Sequence, residues 1–192
     1  MSDKNLIDAL EQRTGLPDAL RALLEAFPRE EWDAHPNFEG LVRFWLDRHM
    51  MFRRLTATLA DDAEGFLDGK LQGSVYGQRL ARLGSMLVNE LHGHHHIEDL
   101  HYFPALSRAE PRLASGFELL DRDHQALDTH IDAFTTRANA VLQGLAEPSV
   151  RDAAGAFHEG VQGFTTFLER HLTDEEDLVV PVILKHAPAG LV

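Results

Sequence analysis

His94-His95-His96-Ile97-Glu98-Asp99-Leu100-His101-Tyr102-Phe103-Pro104 sets a histidine, an acid four residues on, a second acid at five and a proline at ten. The same order returns in His171-Leu172-Thr173-Asp174-Glu175-Glu176-Asp177-Leu178-Val179-Val180-Pro181. In a helix, residues i and i+4 lie on one face, one above the other. Each stretch therefore aims an imidazole and a carboxylate at the same point. Imidazole with carboxylate is a ligand set of non-haem iron and related transition-metal sites.

Around these two stretches the chain reads as all-α. Proline and glycine clusters mark the breaks, and the alternating β-branched runs of strands are missing. Residues 4–30 hold Leu6, Ile7, Leu10, Leu16, Leu20, Leu23, Leu24 and Phe27, which predict one or two short amphipathic helices broken near Gly15-Leu16-Pro17. A first long helix is expected after His35-Pro36-Asn37 and up to Ala60, with Leu41, Phe44, Trp45, Met51, Phe52, Leu55 and Leu59 at helical spacing. Asp61 to Gly73 is acidic and glycine-rich and reads as a loop. A second helix is expected from Ser74 to Ser107, kinked or finished by Pro104. Glu110-Pro111 opens a third, ending near Gly144, since proline suits a first helical turn. Glu147-Pro148-Ser149 opens a fourth, running to Lys185, disturbed at Pro181 and stopped by Pro188. Long helices with short connections predict an up-down-up-down four-helix bundle over residues 35–192. Residues 1–34 are expected to form a helical extension packed on it.

The bulk composition narrows the function. With 192 residues, 44% of them hydrophobic, the chain can bury one real core. A net charge of −13 provides no electrostatic footprint for nucleic acid or an anionic membrane surface. No cysteine is present, which excludes disulfides, thiolate catalysis and cysteine-held zinc or iron–sulfur sites. Twelve histidines are many for this length. The first 30 residues lack the basic-then-apolar layout of a signal peptide. The longest apolar run, Leu178–Leu184, is too short to span a bilayer. A soluble cytoplasmic protein is expected.

A lone helical histidine is usually an ordinary core or surface residue, and a His-x-x-x-Glu pair is usually an exposed side-chain pair. Joint placement is what makes the case here. The interval from His49 to His94 nearly equals that from His124 to His171, so the chain reads as two helical hairpins in tandem. Each hairpin offers a lone histidine and then a His-x-x-x-acid pair. Trp45 and Phe52 flank His49, Leu120, Leu127 and Ile131 surround His124, and Leu91 and Leu178 neighbour the two pairs. Polar groups within apolar stripes need partners, and a shared metal supplies one to all of them.

These motifs resemble the hemerythrin-like, HHE cation-binding family over residues 35–186. His94-His95-x-x-Glu98-Asp99-x-x-Tyr102-Phe103-Pro104 is similar to that family's second-helix signature, and His171-Leu172-x-x-Glu175-Glu176-x-x-Val179-Val180-Pro181 to its fourth. His49 and His124 fall where the family places its first-helix and third-helix ligands. The resemblance implies a four-helix bundle holding a non-haem di-iron centre. His94 would bind one iron and His171 the other. Glu98 would bridge them, with Glu175 or Glu176 as the second bridge, and His49 and His124 would complete the shells. Oxygen-carrying hemerythrins have a second histidine where this chain has Asp128. Asp128 is either a ligand or a helix-surface acid. As a ligand it would raise electron donation to iron and disfavour reversible oxygen carriage. His95 and His101 are further candidates for the shell, His101 also as a gate or proton donor. His35, His92, His96, His130 and His186 read as solvated.

The resemblance implies binding or sensing of dioxygen or nitric oxide, or iron handling. Two other classes stand beside it: a di-iron oxidase or peroxidase, and a regulatory module with a structural metal. Two iron ions are the expected cofactor, and manganese or zinc also suits His and carboxylate ligands. Dioxygen, nitric oxide or peroxide is the expected small partner. The N-terminal residues and the acidic surface leave room for a homodimer contact.

Overall fold

A computed structural model describes residues 9–188. Among them no strand occurs, and four long helices carry the chain. We label the helices α1 (Leu41–Leu67), α2 (Gly73–Ile97), α3 (Phe103–Ala109), α4 (Ala114–Gln143) and α5 (Val150–His186). No helix among the described residues is long and apolar enough to cross a membrane.

Helix α1 starts after Gly40, whose φ of +80° favours glycine. Its buried stripe is Val42, Trp45, His49, Phe52, Leu55, Leu59 and Ala63, steps of three and four. Ala63 continues the stripe, so the helix runs on to Leu67 and most of the expected loop is helical. The stop comes at Gly69, with φ +75°. There the Gly69 N–H bonds to the Phe66 carbonyl and the Lys70 N–H to the Gly65 carbonyl, a left-handed glycine cap.

The effect of Pro104 is local and specific. A proline inside a helix has no N–H to give and crowds the carbonyl four residues back. The chain widens into a π-helical turn over Glu98–Tyr102, in which Phe103 N–H bonds to the Glu98 carbonyl, and then resumes as α3. Such single π turns are frequent at functional sites, and this one begins at Glu98. Pro181, in contrast, is buried within an unbroken α5. Glu110-Pro111 opens a 3-10 turn (Pro111–Leu113) before α4 begins.

The N-terminal helices expected from the sequence are not found between residue 9 and α1. Leu6 and Ile7 lie outside the described residues. The rest consists of turns with two 3-10 segments, Asp18–Leu20 and Arg29–Ala34. Pro17, Pro28 and Pro36 divide the segment into pieces too short to nucleate an α-helix. Its apolar residues are nevertheless used.

The chain forms two compact units, and each long helix gives residues to both. The first takes in the described residues through Met50, then His94–Ala126, and the chain from Glu169 onward. Its core joins Leu16, Leu20, Leu23 and Trp32 to Phe103, Leu106, Phe117, Leu120 and the Leu178–Leu184 run. That run is apolar on all sides because the N-terminal segment covers it. The second unit, Met51–Gly93 with Leu127–Leu168, holds Phe134 between Phe157 and Phe164 at ring distances of 5.4 and 5.8 Å, and Phe66 stacked on Tyr76 at 4.8 Å. Phe52 is buried and belongs to this second unit.

Candidate metal centre

Among the described residues the buried histidines all lie in the first unit, and two of its four buried glutamates, Glu98 and Glu175, join them. They form two groups whose ligand-type atoms lie within 4.8 Å of one another: His49, His94, Glu98 and Glu175 in one, His95, His124 and His171 in the other. Helix geometry explains why consecutive residues serve different groups. His94 and His95 are turned about 100° apart on α2, so one faces each group.

The glutamates connect the two groups. Glu98 Oε1 lies 3.0 Å from His94 Nε2, and its Oε2 lies 3.7 Å from His124 Nε2. Glu175 Oε2 lies 3.2 Å from His49 Nε2 and 3.6 Å from His171 Nε2. His49 Nε2 and His94 Nε2 are 3.1 Å apart. Trp45 donates its indole N–H to Glu98 Oε1 at 2.5 Å, and that oxygen retains a second lone pair.

Three histidines turn their other ring nitrogen to a carboxylate. His49 Nδ1 meets Glu176 Oε1 at 3.0 Å, His124 Nδ1 meets Asp99 Oδ1 at 2.8 Å, and His171 Nδ1 faces Asp123 Oδ2 at 3.7 Å. A carboxylate behind a histidine fixes the tautomer and leaves Nε2 as the free lone pair, the arrangement typical of metal-ligating histidines. Glu176, a ligand candidate in the sequence, therefore orients His49. Asp99 and Asp123 were not singled out by sequence reasoning. The signal for Asp99 was present in the repeat, as the second acid of Glu98-Asp99, matching Glu176 in Glu175-Glu176.

The electrostatics are those of groups awaiting a cation. Burial pushes His94 and His95 well below the usual histidine range. Burial also drives Glu98 well above the carboxylate range, and the Glu175 charge adds to the effect. Burial opposes the Glu175 charge too, but the close approach of His49 and the charges of His171 and His49 outweigh it and hold Glu175 down. Both ring nitrogens of His95 and of His171, His124 Nε2, Glu98 Oε2 and both oxygens of Glu175 are buried without a hydrogen-bond partner. Native proteins rarely leave buried polar atoms unpaired, and here they converge. A set of nitrogen and carboxylate-oxygen donors fits a transition-metal cation, so the residues present pass the chemical test for a metal.

Other sequence candidates fall elsewhere. Asp128 has a side chain 62% exposed, lies 3.8 Å from His92 and belongs to neither group. Its expected effect on electron donation therefore has no structural basis, and His95 supplies a third imidazole instead. His101 is exposed and also in neither group. His92 and His96 are exposed as expected. His35, His130 and His186 are only partly exposed: His35 packs edge-on to Phe27, His130 stacks on Phe167, and His186 lies 3.2 Å from Glu110.

An all-helical chain with two buried His and carboxylate groups is, by its chemistry, a cation-binding helical protein. Residues 40–183 match the hemerythrin HHE cation binding domain, and the chain belongs to that family. No curated protein and no solved structure matches it.

Proposed function

We propose that this chain is a non-haem di-iron protein of the hemerythrin type that binds or senses dioxygen or nitric oxide, or handles iron. Family membership supports reading its four long helices as an up-down-up-down bundle. The observation that carries the di-metal reading is the reach of Glu98 and Glu175 to imidazoles of both groups. In this reading His49 and His94 would hold one ion and His95, His124 and His171 the other, with Glu98 and Glu175 placed to give carboxylate oxygens to both. A bound pair of ferrous ions supplies a redox-active centre for a small diatomic ligand.

The protein's own part is placement and seclusion. Asp99 and Glu176 hold His124 and His49 by hydrogen bonds, and the Asp123 carboxylate faces His171 Nδ1 at 3.7 Å. Trp45 holds Glu98 and walls the site beside His49 and His94, at ring distances of 5.4 and 6.3 Å. Phe103 stacks on His124 at a ring distance of 5.5 Å. Excluding water strengthens every electrostatic contact inside.

Elemental analysis of protein produced with iron tests the reading. Two irons per chain are expected, with loading lost in His94→Ala and Glu98→Ala. Full iron occupancy in both variants overturns it. Turnover of peroxide by the iron-loaded protein would move the assignment to the oxidase or peroxidase class.

A further inference from the structure

Two arginines from the chain ahead of residue 40, outside the family match, reach the carboxylates behind the histidines. Arg13 is buried, its side chain 3% exposed. Its Nη1 donates to Asp123 Oδ1 at 2.8 Å, its Nη2 donates to Asp123 Oδ2, and its Nε donates to Asp174 Oδ2 at 2.7 Å. Asp123 is the carboxylate facing His171 Nδ1. Asp174 immediately precedes Glu175 on α5. Arg29 repeats the arrangement at the other group. Its Nη1 donates to Glu176 Oε2 at 2.8 Å, its Nε to Asp177 Oδ1 at 2.7 Å, and its Nη2 to the Thr173 carbonyl at 3.1 Å. The other oxygen of Glu176, Oε1, meets His49 Nδ1.

A lone carboxylate behind a histidine can rotate away. On Asp123 the Arg13 fork resists this, because two parallel N–H bonds fix the carboxylate plane, and on Glu176 a single charge-assisted bond from Arg29 holds Oε2. Burying an arginine is costly unless its charge and donors are matched. Arg13 has two matched carboxylates, one on α4 and one on α5.

We propose that Arg13 and Arg29 are positioning residues of the metal centre. Through Asp123 and Glu176, the segment ahead of α1 fixes the orientation of His171 and His49. The inference rests on the reading of these groups as a metal site.

The test uses the full chain and cobalt(II) alone as the probe, titrated against a competing chelator while its ligand-field absorption is recorded. Arg13→Met, Arg29→Met and Arg13→Lys are compared with the unaltered protein, and each is also unfolded with denaturant in the metal-free form. The expected result is cobalt affinity weaker by about 10- to 100-fold in both methionine variants, the usual cost of losing an outer partner, with altered absorption bands. Arg13→Lys falls between, since one ammonium cannot span Asp123 and Asp174 as the fork does. Arg29 is 39% exposed, so Arg29→Met keeps its metal-free stability. If Arg13→Met does not fold, Arg29→Met and Arg13→Lys carry the test. Unchanged affinity and spectrum in those two overturn the proposal. So does an unchanged spectrum with affinity lost only in step with metal-free stability. An unaltered protein that takes up no cobalt is a different failure, that of the metal-site reading itself.

Discussion

Stripping the metal from this protein with a chelator is expected to lower its melting temperature by roughly 10–20 °C. The magnitude follows from the site. Six buried atoms without a hydrogen-bond partner can turn to a metal: one ring nitrogen each of His95 and His171, His124 Nε2, Glu98 Oε2 and both Glu175 oxygens. Each such group costs about 1–3 kcal/mol when left unsatisfied. That reserve is larger than the gain required of the metal. A ligand present at a hundred times its Kd stabilises the folded state by about 2.7 kcal/mol per site, so two sites give about 5 kcal/mol. For a chain of this size each kcal/mol moves the melting temperature by about 2–4 °C. Calorimetry on chelator-treated protein, repeated after anaerobic reloading with ferrous iron, measures the shift. A difference under about 2 °C, with iron shown to be bound, would refute the argument that these atoms are satisfied by metal.

Glu98→Gln keeps an acceptor for the Trp45 indole but removes a carboxylate from a site that cannot solvate its charge. The metal-free variant should melt no lower than the unaltered protein, while the rise on adding iron disappears; a drop in metal-free melting temperature would count against this account. Arg112 and Lys185 hydrogen-bond Glu110 and hold its carboxyl well below its ordinary value of 4.5. A depressed carboxyl stabilises the fold above its unfolded pKa, and that contribution is lost as pH falls below about 4.5. Glu110→Gln should flatten this part of the acid stability curve, as read by denaturant midpoints at successive pH values. A Cβ at Gly116 would lie 2.8 Å from Leu178 Cδ2 and 3.3 Å from Leu20 Cδ2 in a full core, so Gly116→Ala should destabilise by about 1–3 kcal/mol. At Gly163 a Cβ meets open space, and Gly163→Ala should stabilise α5 by up to about 1 kcal/mol; equal effects at the two positions would contradict the packing described.

Much of the centre was legible before any coordinates, because helical periodicity is a local property. A His-x-x-x-Glu spacing on one helix face is fixed by the turn itself, so the repeats at His94 and His171 exposed both pairs and, with His49 and His124, four elements that converge. The alternation of apolar stripes and proline breaks likewise revealed an all-helical chain. What periodicity cannot carry is the identity of neighbours distant in sequence. The division of His94 and His95 between two groups, the exposure of Asp128 and His101, and the outer roles of Asp99, Asp123 and Glu176 depend on how helices face one another. Two errors have the same origin. The acidic stretch after Ala60 reads as a loop until Ala63 is seen buried, and the described part of the N-terminal segment reads as helix until Leu16, Leu20 and Leu23 are seen packed from turns and 3-10 segments. The sequence by itself determined which residues sit on a common helical face. Only the tertiary structure decided which faces meet, and therefore that Arg13 and Arg29 stand behind the histidines, since an ion pair between residues so far apart leaves no trace in local spacing.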